Sequence, residues 1–288
     1  MPAHLTGNDR EYAFPWTRSP RENWQKRDFC RSLFSMNAQT LSTAVAHSRE
    51  MDRLAVSELG TMQALQTEKV RIFAMATGRR ALTYFRAVVS LVESNLYEPA
   101  GAVLRVLLEL VLVLHVVNDS PEQLDVLAKQ SLGENRKALK GLKTVSLDSR
   151  PEWLTDDSIE KVLSELTMEQ SGFNAHYWAD KSGNMETYNT MYRRLNAFSH
   201  ASLVALDAYL PVNAKAEIIG VRGDVGRESG PQFLVSASSI LLGILQIAAG
   251  EDIDPIRREK FTAMAAEQVS LQEQIALESD SLTVSPLS

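Results

Sequence analysis

Between Ala102 and Val117 every residue is apolar except Arg105, Glu109 and His115, and this stretch constrains the fold more than any other part of the chain. It falls short of the roughly 20 residues a bilayer requires, and a charge near the bilayer centre costs about 2.5–3.5 kcal/mol on insertion scales. The stretch therefore reads as a helix apolar nearly all round, which belongs in the middle of a helical bundle. Arg105 and Glu109 stand four apart, on one face, where they can pair. Charges buried in such a helix must be paired and hydrogen-bonded, because isolated ones are very costly. The pair supports two readings: an internal ion pair that sets helix register, or half of a polar site with Arg105 as an anion ligand and Glu109 as base or orienting group.

Around this helix the pattern is helical almost throughout. Residues 1 to 21, with Pro2, Pro15 and Pro20, read as an extended arm. Helical periodicity then runs from about Glu22 to Ala55 on a stripe of Phe34, Ala38, Leu41 and Val45, and Gly60 punctuates. A second long helix is expected from Met62 to Leu96 on Val70, Phe73, Thr77, Ala81, Phe85, Val88 and Leu91. Pro99 and Gly101 read as a break before the apolar helix. Ser120, Pro121 and Glu122 form a helix start, extending to about Val145. A further helix is expected over Asp156 to Gln170. An irregular aromatic segment with Phe173, His176, Tyr177 and Trp178 follows, then a strong helix from Met185 to Leu210 closed by Pro211. Residues 217 to 230, with four glycines, read as a β-hairpin or long loop. Helices over Pro231 to Ala249 and Pro255 to Leu277 follow, and residues 278 to 288 read as a frayed tail. The expected architecture is all-α: an up-and-down bundle in a single helical domain over 22–277, with an N-terminal helical extension.

The second polar constellation lies in Tyr192, Arg193, Arg194, Leu195, Asn196, Ala197, Phe198, Ser199 and His200. On a regular helix His200 falls within roughly 20° of the direction of Arg193, and Asn196 lies between them. These residues form one polar strip, which Tyr192 extends and which the helix would bury against a neighbour, while Arg194 points elsewhere. A guanidinium can grip a phosphate with two bonds, and an imidazole can take a proton from a ribose 2′-hydroxyl near neutral pH. The same strip also reads as a satisfied core histidine beside a surface arginine. His47 and His115 have no partner at metal-ligand spacing. Lys69, Arg71, Arg79, Arg80 and Arg86 make the second long helix locally basic.

Composition narrows the classes. The net charge is −6, from 30 basic and 36 acidic residues, which argues against a broad nucleic-acid surface and leaves only a local site for RNA or a nucleotide. Cys30 is the only cysteine, so no intrachain disulfide or cysteine-based zinc site can form, which fits a reducing compartment such as the cytoplasm. No metal or cofactor is implied, and no membrane anchor is expected.

The order of features resembles a widespread, largely bacterial, helical family of unknown function. The resemblance rests on Leu104-Arg105-Val106-Leu107-Leu108-Glu109, on Ser94 to Ala102 before it, on Tyr177-Trp178, and on Tyr192 through Asn196 to His200. It covers about residues 62 to 212. That family is similar in turn to the HEPN group of helical bundles, whose RNase members use an Arg-x(4–6)-His motif at a dimer interface, and Arg193 or Arg194 with His200 satisfies that spacing. HEPN nucleases usually carry a polar residue directly after the motif arginine, whereas Leu195 follows Arg194. The resemblance implies a homodimeric, metal-independent ribonuclease or RNA-processing or defence protein. In it the catalytic residues are His200, as general base, Arg193, which binds phosphate, and Glu109, which with Arg105 positions the site; Arg105, Tyr192 and Arg194 contact substrate, and Asn196 orients the histidine or the substrate. A non-catalytic sensor or scaffold with a buried polar network, and a nucleotide-binding module, remain alternatives.

Overall fold

The computed structural model describes residues 38–165, 172–199, 229–250 and 253–283, together with 206, 209, 210, 220 and 221. All regular structure among the described residues is helical. The expected arm over 1–21, the start of the first helix at Glu22 and most of the expected hairpin over 217–230 lie outside the described residues.

Helices α1 (Ala38–Thr61), α2 (Lys69–Glu93) and α3 (Tyr97–Asp119) run consecutively, followed by α4 (Gln123–Leu142) and α5 (Asp156–Glu165). Short helices α6 (Ala175–Lys181) and α7 (Met185–Thr187) lead through a π turn (Tyr188–Tyr192) into α8 (Arg193–Ala197). Helices α9 (Gly230–Ala249) and α10 (Pro255–Thr283) complete the fold. The core is α1, α2, α3 and α9, with α10 packed on α9 and α1, and with α6 and α8 packed on α3.

Two helices, not one, are apolar nearly all round. Both α3 and α9 are long and apolar enough to cross a membrane, and 61% and 78% of their most apolar windows are buried within the protein. The more central is α9: Leu234, Val235, Ala237, Leu241, Ile244, Leu245 and Ala248 are fully buried. Nor is α1 an extension. Ala44, Met51, Ala55 and Leu59 sit in the core with Thr40 and Ser48 fully buried among them, while Leu41 and Val45 pack against its edge, partly buried. The buried stripe thus follows small side chains that allow close helix approach, which apolarity counted alone does not reveal. The same logic operates on α2, where a Cβ at Gly78 would lie 2.8 Å from Leu59 Cδ2.

Several ends differ from the sequence expectation for local reasons. Residues 62–68 form a turn, in which Glu68 Oε2 accepts from the Leu65 amide at 2.6 Å, so α2 starts at Lys69. It stops at Glu93 because Asn95 adopts φ 60°, letting the amides of Asn95 and Leu96 bond Val92 and Leu91 carbonyls at 3.0 and 2.8 Å. Pro99 and Gly101 do not break the chain. Pro99 lies in the first turn of α3, where its missing N–H costs no helical bond. Ser120 caps nothing: the chain turns through Pro121 and Glu122 by short-range bonds before α4. The aromatic segment is partly helical, because Asn174 Oδ1 accepts from the Tyr177 amide at 3.2 Å and caps α6. At the C-terminus α10 continues past Leu277 to Thr283.

Candidate functional site

The polar features converge where α7, the π turn and α8 cross α3. Helix α3 buries Leu104, Leu107, Leu108, Val111 and Leu112 toward the core, and the opposite face carries Arg105 and Glu109. These two are half-buried rather than enclosed in the bundle, with side chains 24% and 18% exposed. The reason is geometric: a helix flanked on one side by the core and on the other by short helices retains a strip that water reaches.

Arg105 Nε donates to Glu109 Oε1 at 3.1 Å, and the Tyr192 hydroxyl donates to the same oxygen at 2.9 Å. Arg105 also lies over the Tyr192 ring, 5.4 Å from its centroid. Burial, reinforced by the Glu109 carboxylate, pushes the Tyr192 phenol up to about 12, so at neutral pH it is a neutral donor. Burial works against the Arg105 charge, but Glu109 and the phenol outweigh it and hold that guanidinium above its ordinary value.

The π turn extends this contact outward. Its bond from the Arg193 amide to the Tyr188 carbonyl spans five residues, and it brings the Tyr188 and Tyr192 rings into a stack at 5.0 Å and 15°. Arg193 covers Tyr188 at 5.8 Å, and His176 meets the same ring edge-on at 5.3 Å. The result is a ladder from Arg105 through Tyr192 and Tyr188 to Arg193. One carboxylate, Glu109, closes the Arg105 end of the ladder. Such stacking is worth about 0.5–1 kcal/mol per exposed cation–ring pair, and it orients the groups as well as holding them.

Leu195 and Phe198 fix the orientation of α8. Leu195 is buried, and Phe198 lies against α3 where Gly101 leaves room: a Cβ there would approach Phe198 Cδ2 to 2.6 Å. Phe198 also packs edge-on against Phe233 of α9 at 5.9 Å. With that face inward, Arg193 and Arg194 are exposed and Asn196 is half-buried. The expected burial of an Arg193–Asn196 strip is therefore corrected: Tyr192, Leu195 and Phe198 take the inner face. The regular helix ends at Ala197, and Phe198 and Ser199 bond back only three residues. His200 lies outside the described residues.

Arg105, Glu109, Tyr192 and Arg193 are thus linked through contacts, while Arg194 and Asn196 border them on α8. The sequence places His176 in an aromatic segment without linking it to these residues, and Tyr188 is not singled out by it. A Tyr at 188 and a Tyr at 192, four apart, was the available signal, although the π turn was not. The other aromatics turn inward: Tyr177 donates to Gln123 Oε1 at 2.8 Å, and the buried Trp178 Nε1 donates to Gln130 Oε1 at 2.9 Å. Most of the five basic residues of α2 have polar partners within the protein. Arg86 pairs with Asp52 at 2.5 Å, Arg71 with Glu68 at 3.5 Å, and Arg79 donates to the Leu59 carbonyl at 3.2 Å. Among the described residues, no three His, Cys, Asp or Glu side chains are grouped to hold a metal ion.

The family model described as "Family of unknown function (DUF5677)" matches residues 72–216, half of the chain, a span that includes every residue of the ladder. No curated protein and no solved structure matches the chain.

Proposed function

Because the chain belongs to this family of unknown function, we propose its activity from its own residues: a HEPN-like, metal-independent ribonuclease with a role in RNA processing or defence. It acts in the cytoplasm as a homodimer and takes RNA at one local site. The observation that supports this reading is Arg193, exposed on a ring stack and paired with no carboxylate among the described residues. In an acidic protein, such a guanidinium is a suitable ligand for a single phosphate. Arg193 grips the scissile phosphate, and His200 takes the 2′-hydroxyl proton. Glu109 is already the acceptor for Arg105 and Tyr192, so it and Arg105 position the ladder rather than exchange protons with substrate. Asn196 and Arg194 border the substrate.

The same pairing favours a second reading. Arg105, Glu109 and Tyr192 satisfy one another, as they would in a non-catalytic scaffold or a nucleotide-binding module. One experiment separates these readings. Purified protein is incubated with total RNA, with and without chelator, beside Arg193→Ala and His200→Ala forms matched by circular dichroism. Chelator-resistant cleavage that both variants lose is the expected result. Folded wild-type protein that leaves RNA intact would favour the non-catalytic reading, and stabilisation by a mononucleotide would then identify a binding module.

A further inference from the structure

The aromatic segment divides in the structure. Tyr177 and Trp178 face inward toward Gln123 and Gln130, whereas His176 stays exposed beside Tyr188. His176 and Arg193 flank one ring, at 5.3 and 5.8 Å from its centroid, and that ring is stacked on Tyr192. An exposed imidazole and an exposed guanidinium are therefore held on a common support. A phosphate gripped by the guanidinium lies beside the ring that also carries the imidazole.

We propose that His176 is the general acid of this site, protonating the 5′-oxygen that leaves the phosphate held by Arg193. The inference rests on the ribonuclease reading. In the step, the ribose 2′-oxygen forms a bond to phosphorus as the bond from phosphorus to the 5′-oxygen breaks. The 2′-hydroxyl proton passes to the general base. The electron pair of the broken bond goes to the 5′-oxygen, which takes its proton from the His176 imidazolium. The products are a 2′,3′-cyclic phosphate and a free 5′-hydroxyl, and no oxidant, reductant or cofactor enters. Imidazole suits the task because it gains and loses a proton near neutral pH.

The test compares two RNA oligonucleotides in the full-length protein. One is a sequence the wild type cleaves; the other carries sulfur in place of the leaving 5′-oxygen at the same position, and a thiolate departs without protonation. His176→Gln is expected to slow the ordinary oligonucleotide by about 10²–10⁴-fold and the sulfur analogue by less than tenfold. His176→Asn, with folding checked by thermal melting, should behave the same way. Equal losses on both substrates, or no loss on either, would overturn the assignment. If Arg193→Ala abolishes cleavage of both substrates while His176→Gln cleaves both normally, the ribonuclease reading stands and the role of His176 falls. A wild type that cleaves no RNA overturns both.

Discussion

Tyr192→Phe isolates the polar junction of the site without disturbing its packing. The substitution removes one hydroxyl and leaves the ring that stacks on Tyr188 and carries Arg105. What is lost is a 2.9 Å donation to Glu109 Oε1, the oxygen that also receives Arg105 Nε at 3.1 Å. A hydrogen bond to a charged acceptor contributes about 1.5–3 kcal/mol. Glu109 is 18% exposed, so water partly replaces the lost donor, and the expected cost falls to about 1–1.5 kcal/mol. For a chain of this size that lowers the melting temperature by about 2–6 °C. The assay is urea unfolding of the wild type, Tyr192→Phe, Glu109→Gln and the double variant at pH 7. In the Glu109→Gln background Tyr192→Phe should cost less, because the acceptor is neutral, giving a coupling of about 0.5–1 kcal/mol. A cost below about 0.3 kcal/mol in the wild type, or an equal cost in both backgrounds, would refute the argument that the phenol stabilises the carboxylate.

Other expectations follow from the same structure. Gly101→Ala places a methyl 2.6 Å from Phe198 Cδ2 and should destabilise by about 1–2 kcal/mol, with Phe198→Leu restoring part of the loss in the double variant; thermal melts decide it. Gly60→Ala, where nothing lies within 4 Å of the added Cβ, should stabilise by about 0.5–1 kcal/mol in the same assay. Gln130→Leu leaves the buried indole N–H of Trp178 without its acceptor, and chemical unfolding should show a loss of about 1–3 kcal/mol. His47 is buried between α1 and α10, 3.6 Å from Glu267, and burial holds its imidazole below the usual 6.5. The unfolded chain then takes up the proton more readily, so this contribution to stability is present above pH 6.5 and is lost as pH falls below it. His47→Gln should flatten the decline in melting temperature between pH 7 and pH 5; an unchanged slope would assign the decline to other groups.

The chain sequence alone determines the all-helical class and most of the long helices, because apolar spacing over α2, α3, α9 and α10 is a local property that survives any arrangement of neighbours. It also identifies Arg105 and Glu109 as a pair, since residues four apart on a helix must meet. Tertiary structure decided which of two apolar helices lies at the centre, because that depends on what surrounds each one. It also decided that α1 buries Thr40 and Ser48 more deeply than Leu41 and Val45, since close helix approach favours small side chains at the nearest points. The ladder from Arg105 to Arg193 was beyond sequence reasoning for a related reason. It involves a π turn that shifts the helical phase at Tyr188–Tyr192 and a long-range contact within the chain between Phe198 and Gly101, and no spacing along the chain encodes a contact between segments so far apart in sequence.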